Sequence, residues 1–305
     1  FSSRRRHTRL VRSRGLGDVY KRQAFDNLFR YVTDPFWLET ALDAVLSGAG
    51  ATTPGVDGVT KDDIRDLPTL AQELSAELRQ GTYQPQPVQR FETQKADGTP
   101  RALGIATIRD RAVQEALRMV LEPILESRFL NCSTGFRPMR RAMDAIHLTT
   151  YFTSNRVKMW WAIRGTIAGG MGSFPHAKLL GILKQHVCCR KTLRLIQTML
   201  HAGLSENGRV ARPNKGVTQA GLLAPLLLNV YLHELDKYWW ERYGSLTEGQ
   251  KTYRRTKGLG NVQFIRHADD LLLLTNGDKP FAQALQAEFV TFLQERLALQ
   301  LVPCL

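Results

Sequence analysis

The sequence predicts an α+β fold, with helices packed on antiparallel sheet. Three observations predict it. Apolar residues recur at helical spacing in several stretches of 10–20 residues. Short apolar runs of strand length, such as Met159–Ile163 and Leu271–Leu274, lie between them. Asp97-Gly98 sits between two extended stretches, the strongest short hairpin signal. No internal repeat is present.

The elements follow in order. Pro35 after Thr33 and Asp34 starts a helix whose apolar face is Leu38, Leu42 and Val45, and Gly48 and Gly50 end it. Leu67, Leu70, Leu74 and Leu78 line a second helix from Pro68, which Gly81 stops. Residues 86–106 form the hairpin. A long helix then carries Val113, Leu117, Val120, Ile124 and Leu125 on one face. Met159–Ile163 is a strand, and helices are expected at 176–186, 190–203 and 222–241. Val262–Ile265 and Leu271–Leu274 are two strands around a tight turn. A last helix at about 280–299 presents Phe281, Leu285, Phe289 and Leu293.

The chain has 305 residues and a formal charge of +14. The length suits about two domains or one two-lobed one, and the 43% apolar content excludes wholesale disorder. An excess of cations argues for a polyanionic partner, nucleic acid before anionic membrane. No apolar run approaches the roughly 18 residues a membrane span needs. Cys132, Cys188, Cys189 and Cys304 form no C-x-x-C pair, which suits a reducing compartment and no structural metal.

Half of the charge sits in residues 1–23, where Arg4, Arg5, Arg6, Arg9, Arg12, Arg14, Lys21 and Arg22 face only Asp18. A nucleic-acid arm, a nuclear signal and an organellar transit peptide share this composition. The segment also resembles translated adapter or cloning sequence, and the chain begins with Phe1. It is therefore read as a non-native segment on a fragment and set aside from the fold. Without it, residues 24–305 hold 34 cations and 27 acids, a net +7.

The stretch with most chemistry is Phe264-Ile-Arg-His-Ala-Asp-Asp-Leu-Leu-Leu-Leu274. Asp269 and Asp270 stand together at a turn between two buried-type strands. Adjacent carboxylates repel unless a cation neutralises them. Hard divalent cations take oxygen ligands and leave positions open for phosphate oxygens. Asp is also common in turns for its own hydrogen bonding, so the pair alone does not decide the matter.

The segment resembles the catalytic box of reverse transcriptases, with His267 at the usual aromatic position. Other stretches match the group II intron members of that family in order. They are Asn27-Leu-Phe-Arg30 with Phe36-Trp37, Pro54-Gly-Val-Asp-Gly58, and Tyr83–Arg90 followed by Lys95–Arg111 and Gln114. Leu121-Glu-Pro123 and Ser133-Thr-Gly-Phe-Arg-Pro138 come next, then Gly216–Pro225 and Asn229–Asp236. The resemblance covers about residues 24–300. It implies a right-hand polymerase fold, with fingers at 24–155 and palm at 156–301. It implies RNA-directed DNA synthesis with Mg²⁺ (Mn²⁺ as an alternative), an RNA template or intron RNA, a DNA primer and deoxynucleoside triphosphates. Asp269 and Asp270 would bind metal, and Lys95 and Arg101 the triphosphate. Gln219, Gly221 and Met171 would line the nucleotide pocket, and Arg137, Arg140 and Arg141 would contact template phosphates.

The first catalytic box departs from the family. Its flanks hold register through Gly165, Ile167, Gly169, Ser173, His176 and Lys178-Leu-Leu180, yet the metal-binding Asp is Thr166. The aromatic that faces the sugar is Met171 and the following Asp is Gly172. A neutral hydroxyl substitutes poorly for a carboxylate that bridges cations. No carboxylate occurs in 158–180, and Asp57 and Asp236 are read as turn and helix residues. The changes read as relaxed selection for chemistry on a retained fold, or as errors in the sequence. The chain also ends at Val302-Pro-Cys-Leu305, where the family continues into a thumb and maturase domain, so the thumb is expected to be absent. Impaired polymerase activity is the expectation. The rivals are a non-catalytic RNA-binding, splicing-assisting protein and a decayed fragment. The expected compartment is bacterial cytoplasm, with an organelle as the alternative.

Overall fold

The computed structural model describes residues 25–94, 100–206, 209–212, 214–216 and 221–303. The Asp97-Gly98 turn, Lys95, Gln219 and the basic segment lie outside the described residues. After a helical turn at Phe29–Val32 come α1 (Pro35–Ser47), α2 (Leu67–Gln80), β1 (Val88–Gln94), β2 (Pro100–Ile105), α3 (Ile108–Glu126) and α4 (Ala142–Thr153). The chain continues with β3 (Trp161–Ile167), α5 (His176–Leu183), α6 (Arg190–Leu200), β4 (Leu204–Glu206), β5 (Arg209–Ala211) and α7 (Ala224–Trp239). It closes with α8 (Glu248–Thr256), β6 (Val262–His267), β7 (Asp270–Thr275), α9 (Lys279–Thr291) and β8 (Leu301–Pro303).

The helix boundaries have local causes. Asp34 caps α1 by accepting from the Phe36 amide, with Pro35 at the first position. Asp66 caps α2, and Gly81 ends it at φ 76°. Thr107 caps α3 through the Asp110 amide.

Two four-stranded sheets form, in the orders β2-β1-β4-β5 and β6-β7-β3-β8. The first is mixed, since β1 runs parallel to β4. Its β4–β5 pair comes from a stretch that the sequence division counts with the palm. The second sheet is antiparallel throughout.

One large core runs under the second sheet, and Val262, Phe264, Leu271 and Leu273 point into it. Ile265 and Leu274 point the other way. They form a separate small cluster with Met159, flanked by Leu148 and Phe152 of α4. Covering on both sides explains why β7 reads as unbroken leucine rather than as an alternating pattern.

Several boundaries differ from the sequence reading. The first palm-type strand starts at Trp161 and runs through Thr166, because β7 and β8 pair with its far end. The carboxylate hairpin is longer than expected, and only Ala268 and Asp269 lie outside its strands. Helix α4, helix α8 and strands β4, β5 and β8 have weak local patterns and were not expected. Among the described residues no helix is long and apolar enough to cross a membrane.

The second sheet is tied to α7 by a fully buried ion pair. Arg266 on β6 donates from Nε to Asp236 Oδ1 at 2.9 Å and from Nη2 to Oδ2 at 2.8 Å. Both side chains have 0% exposure. Burial alone would raise the Asp236 pKa, but Arg266 outweighs it and holds the carboxyl below its ordinary range. We expect Arg266→Met to cost about 3–5 kcal/mol, because it strands a buried carboxylate. The double change Arg266→Met/Asp236→Leu should recover much of that loss, and urea unfolding of the three proteins measures both effects.

A second buried group sets a pH dependence. Arg128 Nη1 lies 3.0 Å from His186 Nδ1, and only a neutral imidazole can accept there. Burial first, then the Arg128 charge, pushes His186 down to about 4 from its ordinary 6.5. A depressed folded pKa means that its stabilisation is full above about 6.5 and is lost as the pH falls towards 4. Stability should therefore drop by about 2 kcal/mol across that window. Urea midpoints of the parent and His186→Gln, compared from pH 7 to pH 4, isolate this contribution.

Candidate active site

Strand pairing brings Thr166 to the carboxylates. Thr166 stands directly opposite Asp270 in the β3–β7 register. Its Oγ1 donates to the Asp269 carbonyl at 3.4 Å, and the next amide, Ile167 N–H, donates to the same carbonyl at 3.2 Å. Asp269 leans over the turn that follows β3, where a Cβ on Gly170 would lie 3.1 Å from its Oδ2. Thr166 and Asp269 are half-buried and Asp270 is exposed. Met171 is half-buried against the core in the same turn. Thr166, Met171, Asp269 and Asp270 thus share one end of the sheet.

The backbone there is tightly constrained. Ala268 holds φ 56°, a left-handed value that L side chains seldom adopt. A Cβ on Gly135 would stand 2.1 Å from the Ala268 amide nitrogen, so only glycine lets the 133–137 segment lie against the turn. Thr134 N–H donates to the Arg266 carbonyl at 2.9 Å, and its hydroxyl lies 3.0 Å from His267 Nδ1. Arg266 Nη1 donates to the Ala268 carbonyl at 3.0 Å and to Asn229 Oδ1 at 2.8 Å. The Asn229 amide in turn donates to the Gly135 carbonyl at 3.0 Å. Gly165 is equally enforced: a Cβ would fall 2.6 Å from the Leu301 side chain.

An antiparallel sheet with paired acids at the braced two-residue turn of its β6–β7 hairpin is the geometry of a polymerase palm. Residues 93–301 match the family described as reverse transcriptase (RNA-dependent DNA polymerase). The chain belongs to the reverse transcriptase family.

Its relatives place it in the group II intron branch of reverse transcriptases and maturases. Protein YkfC of Escherichia coli K12 is 34% identical over 292 residues, which is 90% of this chain and 77% of YkfC. The group II intron-encoded protein LtrA of Lactococcus lactis is 35% identical over 223 residues, covering 71% of this chain but 35% of LtrA. Nuclear intron maturase 2 of Arabidopsis thaliana mitochondria is 23% identical over 255 residues, 34% of its own length. The chain thus spans about a third of LtrA and of the plant maturase.

The remaining residues expected in a reverse transcriptase site are distributed as follows. Arg101 lies on β2 opposite Thr93. Gly221 precedes α7 and lines a cavity of about 40 Å³ with Gln114 and Gly216. Gly216 packs on the site from behind: at φ 90°, a Cβ on it would meet the Gly172 carbonyl at 2.7 Å. His176 Nε2 lies 2.6 Å from the Gly216 carbonyl, which fixes the loop to the start of α5.

Arg137 requires a correction. It does not face a template, because its guanidinium is buried and fully used inside the protein. It forks onto Glu126 at 2.7–3.1 Å and donates to the Leu130 and Ser133 carbonyls. Arg140 is half-buried and donates to Asn131 at 2.7 Å. Arg141 is exposed at the start of α4.

The brace residues Asn229, Asp236, Arg266 and Gly135 were not recognised as site-building from sequence. A usable signal was present. Arginine in an otherwise apolar strand must be paired when buried, and Asn229 and Asp236 sit seven apart on one face of α7.

The donor set was tested against the divalent cations that the family uses. Among the described residues no group of three His, Cys, Asp or Glu side chains gathers. The two carboxylates could hold a hard cation, but the third position offers a neutral hydroxyl whose proton is on a carbonyl. These residues do not fit a two-cation clamp. Thr166→Asp would place a third carboxylate opposite Asp270. We expect that variant to be less stable than the parent in EDTA through like-charge repulsion. In 10 mM Mg²⁺ it should regain about 1–2 kcal/mol, while the parent gains little. Thermal unfolding with and without Mg²⁺ measures the difference.

Proposed function

We propose that this chain binds RNA template and DNA primer as the catalytic half of a group II intron reverse transcriptase, with polymerisation impaired at position 166. Thr166 opposite Asp270, at an otherwise intact hairpin, is the observation that carries this reading. Asp269 and Asp270 are the residues that would hold Mg²⁺, or Mn²⁺ in its place. A bound divalent cation would supply charge neutralisation to phosphate oxygens. Lys95 and Arg101 would bind a deoxynucleoside triphosphate, as a point charge and a planar fork. Gln219, Gly221 and Met171 would bound the nucleotide pocket. Arg140 and Arg141 remain as template-phosphate contacts. The relatives from bacteria fit a bacterial cytoplasmic setting.

A second reading, RNA binding without synthesis, is favoured by one specific observation: the absence of a third acid among the described residues. A role in assisting intron splicing needs basic surface and shape rather than metal. This fits the names of the intron-encoded relatives.

Primer extension on an RNA template separates the two readings. We expect extension at least about 100-fold below that of the Thr166→Asp variant, a loss in the range seen when transition-state charge stabilisation is removed. Robust synthesis by the Thr166 protein would overturn the impairment. RNA retention after Asp269→Asn/Asp270→Asn, with no synthesis in any variant, would favour the second reading.

A further inference from the structure

The net charge of the folded part is concentrated in one region. Residues 184–216 hold Lys184, Arg190, Lys191, Arg194, Arg209, Arg212 and Lys215 against the single acid Glu206. That is +6 of the +7 carried by residues 24–305. Glu206 is itself paired with Arg90 at 3.2 Å. Helix α6 sorts its residues sharply, with Thr192, Leu193, Leu195 and Ile196 buried and Arg190, Lys191, Arg194, Gln197 and Thr198 exposed. Among the described residues Arg194 and Arg212 have no carboxylate partner.

Arg194 and Arg212 border a groove. A cavity of about 380 Å³ lies between α6 and the segment that leads into β1. Arg194, His201, Arg212, Gln84, Gln197 and Thr198 supply its polar lining, and no acid contributes. Both walls are held in place. Tyr83 and the Gln86 amide donate to the buried Asp110, at 2.5 and 3.0 Å, which fixes the Gln84–Pro87 wall. The Val88 amide then donates to the Gly203 carbonyl at 2.9 Å. Arg212 is set close by, because Gly203 at φ 91° lets the β4–β5 pair pack tightly. The groove shares no residue with the carboxylate hairpin. It abuts the site's rear loop through His201, whose ring meets His176 edge-on at 5.2 Å.

We propose that this groove is a second RNA-binding site, taking a single-stranded segment outside the catalytic cleft. Arg194 and Arg212 meet phosphates, while Gln84, Gln197 and Thr198 offer the donors and acceptors that read 2′-hydroxyls. A preformed, acid-free channel with unpaired arginines fits a phosphodiester strand, and the amide and hydroxyl lining selects RNA over DNA. The inference rests on the reading that the chain serves RNA. Its test uses EDTA and no nucleotide, so the outcome is independent of polymerase activity.

The experiment is fluorescence anisotropy with a 12-nucleotide single-stranded RNA and the DNA of the same sequence, across a salt series. Arg194→Gln/Arg212→Gln should weaken RNA binding about 10-fold and reduce the salt slope by about 1.4, for two lost single-strand phosphate contacts. The exposed control pair Arg79→Gln/Lys279→Gln removes the same charge and should change binding less than about 2-fold. Gln84→Arg should tighten binding, which keeps the test decisive if the double variant folds poorly. Equal losses from both pairs, no effect of Gln84→Arg, or DNA bound as tightly as RNA would overturn the proposal.

Discussion

The buried pair between Arg266 and Asp236 is the constraint on which the site depends. It joins the helix that forms the floor of the core to the strand that leads into the carboxylate turn. A guanidinium in this position has five donors to satisfy. Asp236 takes two of its groups, and Asn229 and the Ala268 carbonyl share a third. The last of these contacts reaches into the turn itself. An ion pair that would otherwise be weak evidence for stability therefore sets where Asp269 and Asp270 stand.

The same network explains the segment at 133–137. Thr134, Gly135 and the Phe136 carbonyl all engage the hairpin or the helix beneath it. Arg137 then anchors that segment to α3 by forking onto Glu126. What reads in sequence as a basic motif beside a catalytic box is a clamp. The left-handed Ala268 is tolerated because its surroundings over-determine it. Backbone bonds enter the turn from β3, the Arg266 side chain enters from β6, and Gly135 leaves no space for another path.

The legible part of the fold was the part governed by local rules. The caps at Asp34 and Gly81, the amphipathic faces of α1 to α3, and the hairpin strands all announce themselves in short windows. The illegible part depended on long-range pairing. β8 forms only because Gly165 leaves space for Leu301 and Val302. β4 and β5 are three residues each; β4 exists as a partner of β1, and β5 as a partner of β4. The site divided in the same way. Ordered motifs set the expected register of Asp269, Asp270 and Thr166, and β3–β7 pairing puts Thr166 opposite Asp270. Arg137 was misjudged because a cation's sequence context does not reveal whether a carboxylate eleven residues earlier will meet it.

The shape of the hairpin and the chemistry proposed for it draw on different residues. The contacts that shape the turn come from glycines, backbone groups, Thr134, Asn229 and the Arg266–Asp236 pair. None comes from a carboxylate at position 166. Removing an acid there takes away like-charge repulsion beside Asp269 and Asp270, and Thr166 adds a hydrogen bond to the Asp269 carbonyl. Substitution at a catalytic position commonly stabilises a site whose function required strain or repulsion. Thr166 is thus the residue the scaffold prefers, whereas the proposed polymerase chemistry would call for an aspartate there. The fold can then persist under constraints that the proposed metal chemistry does not impose.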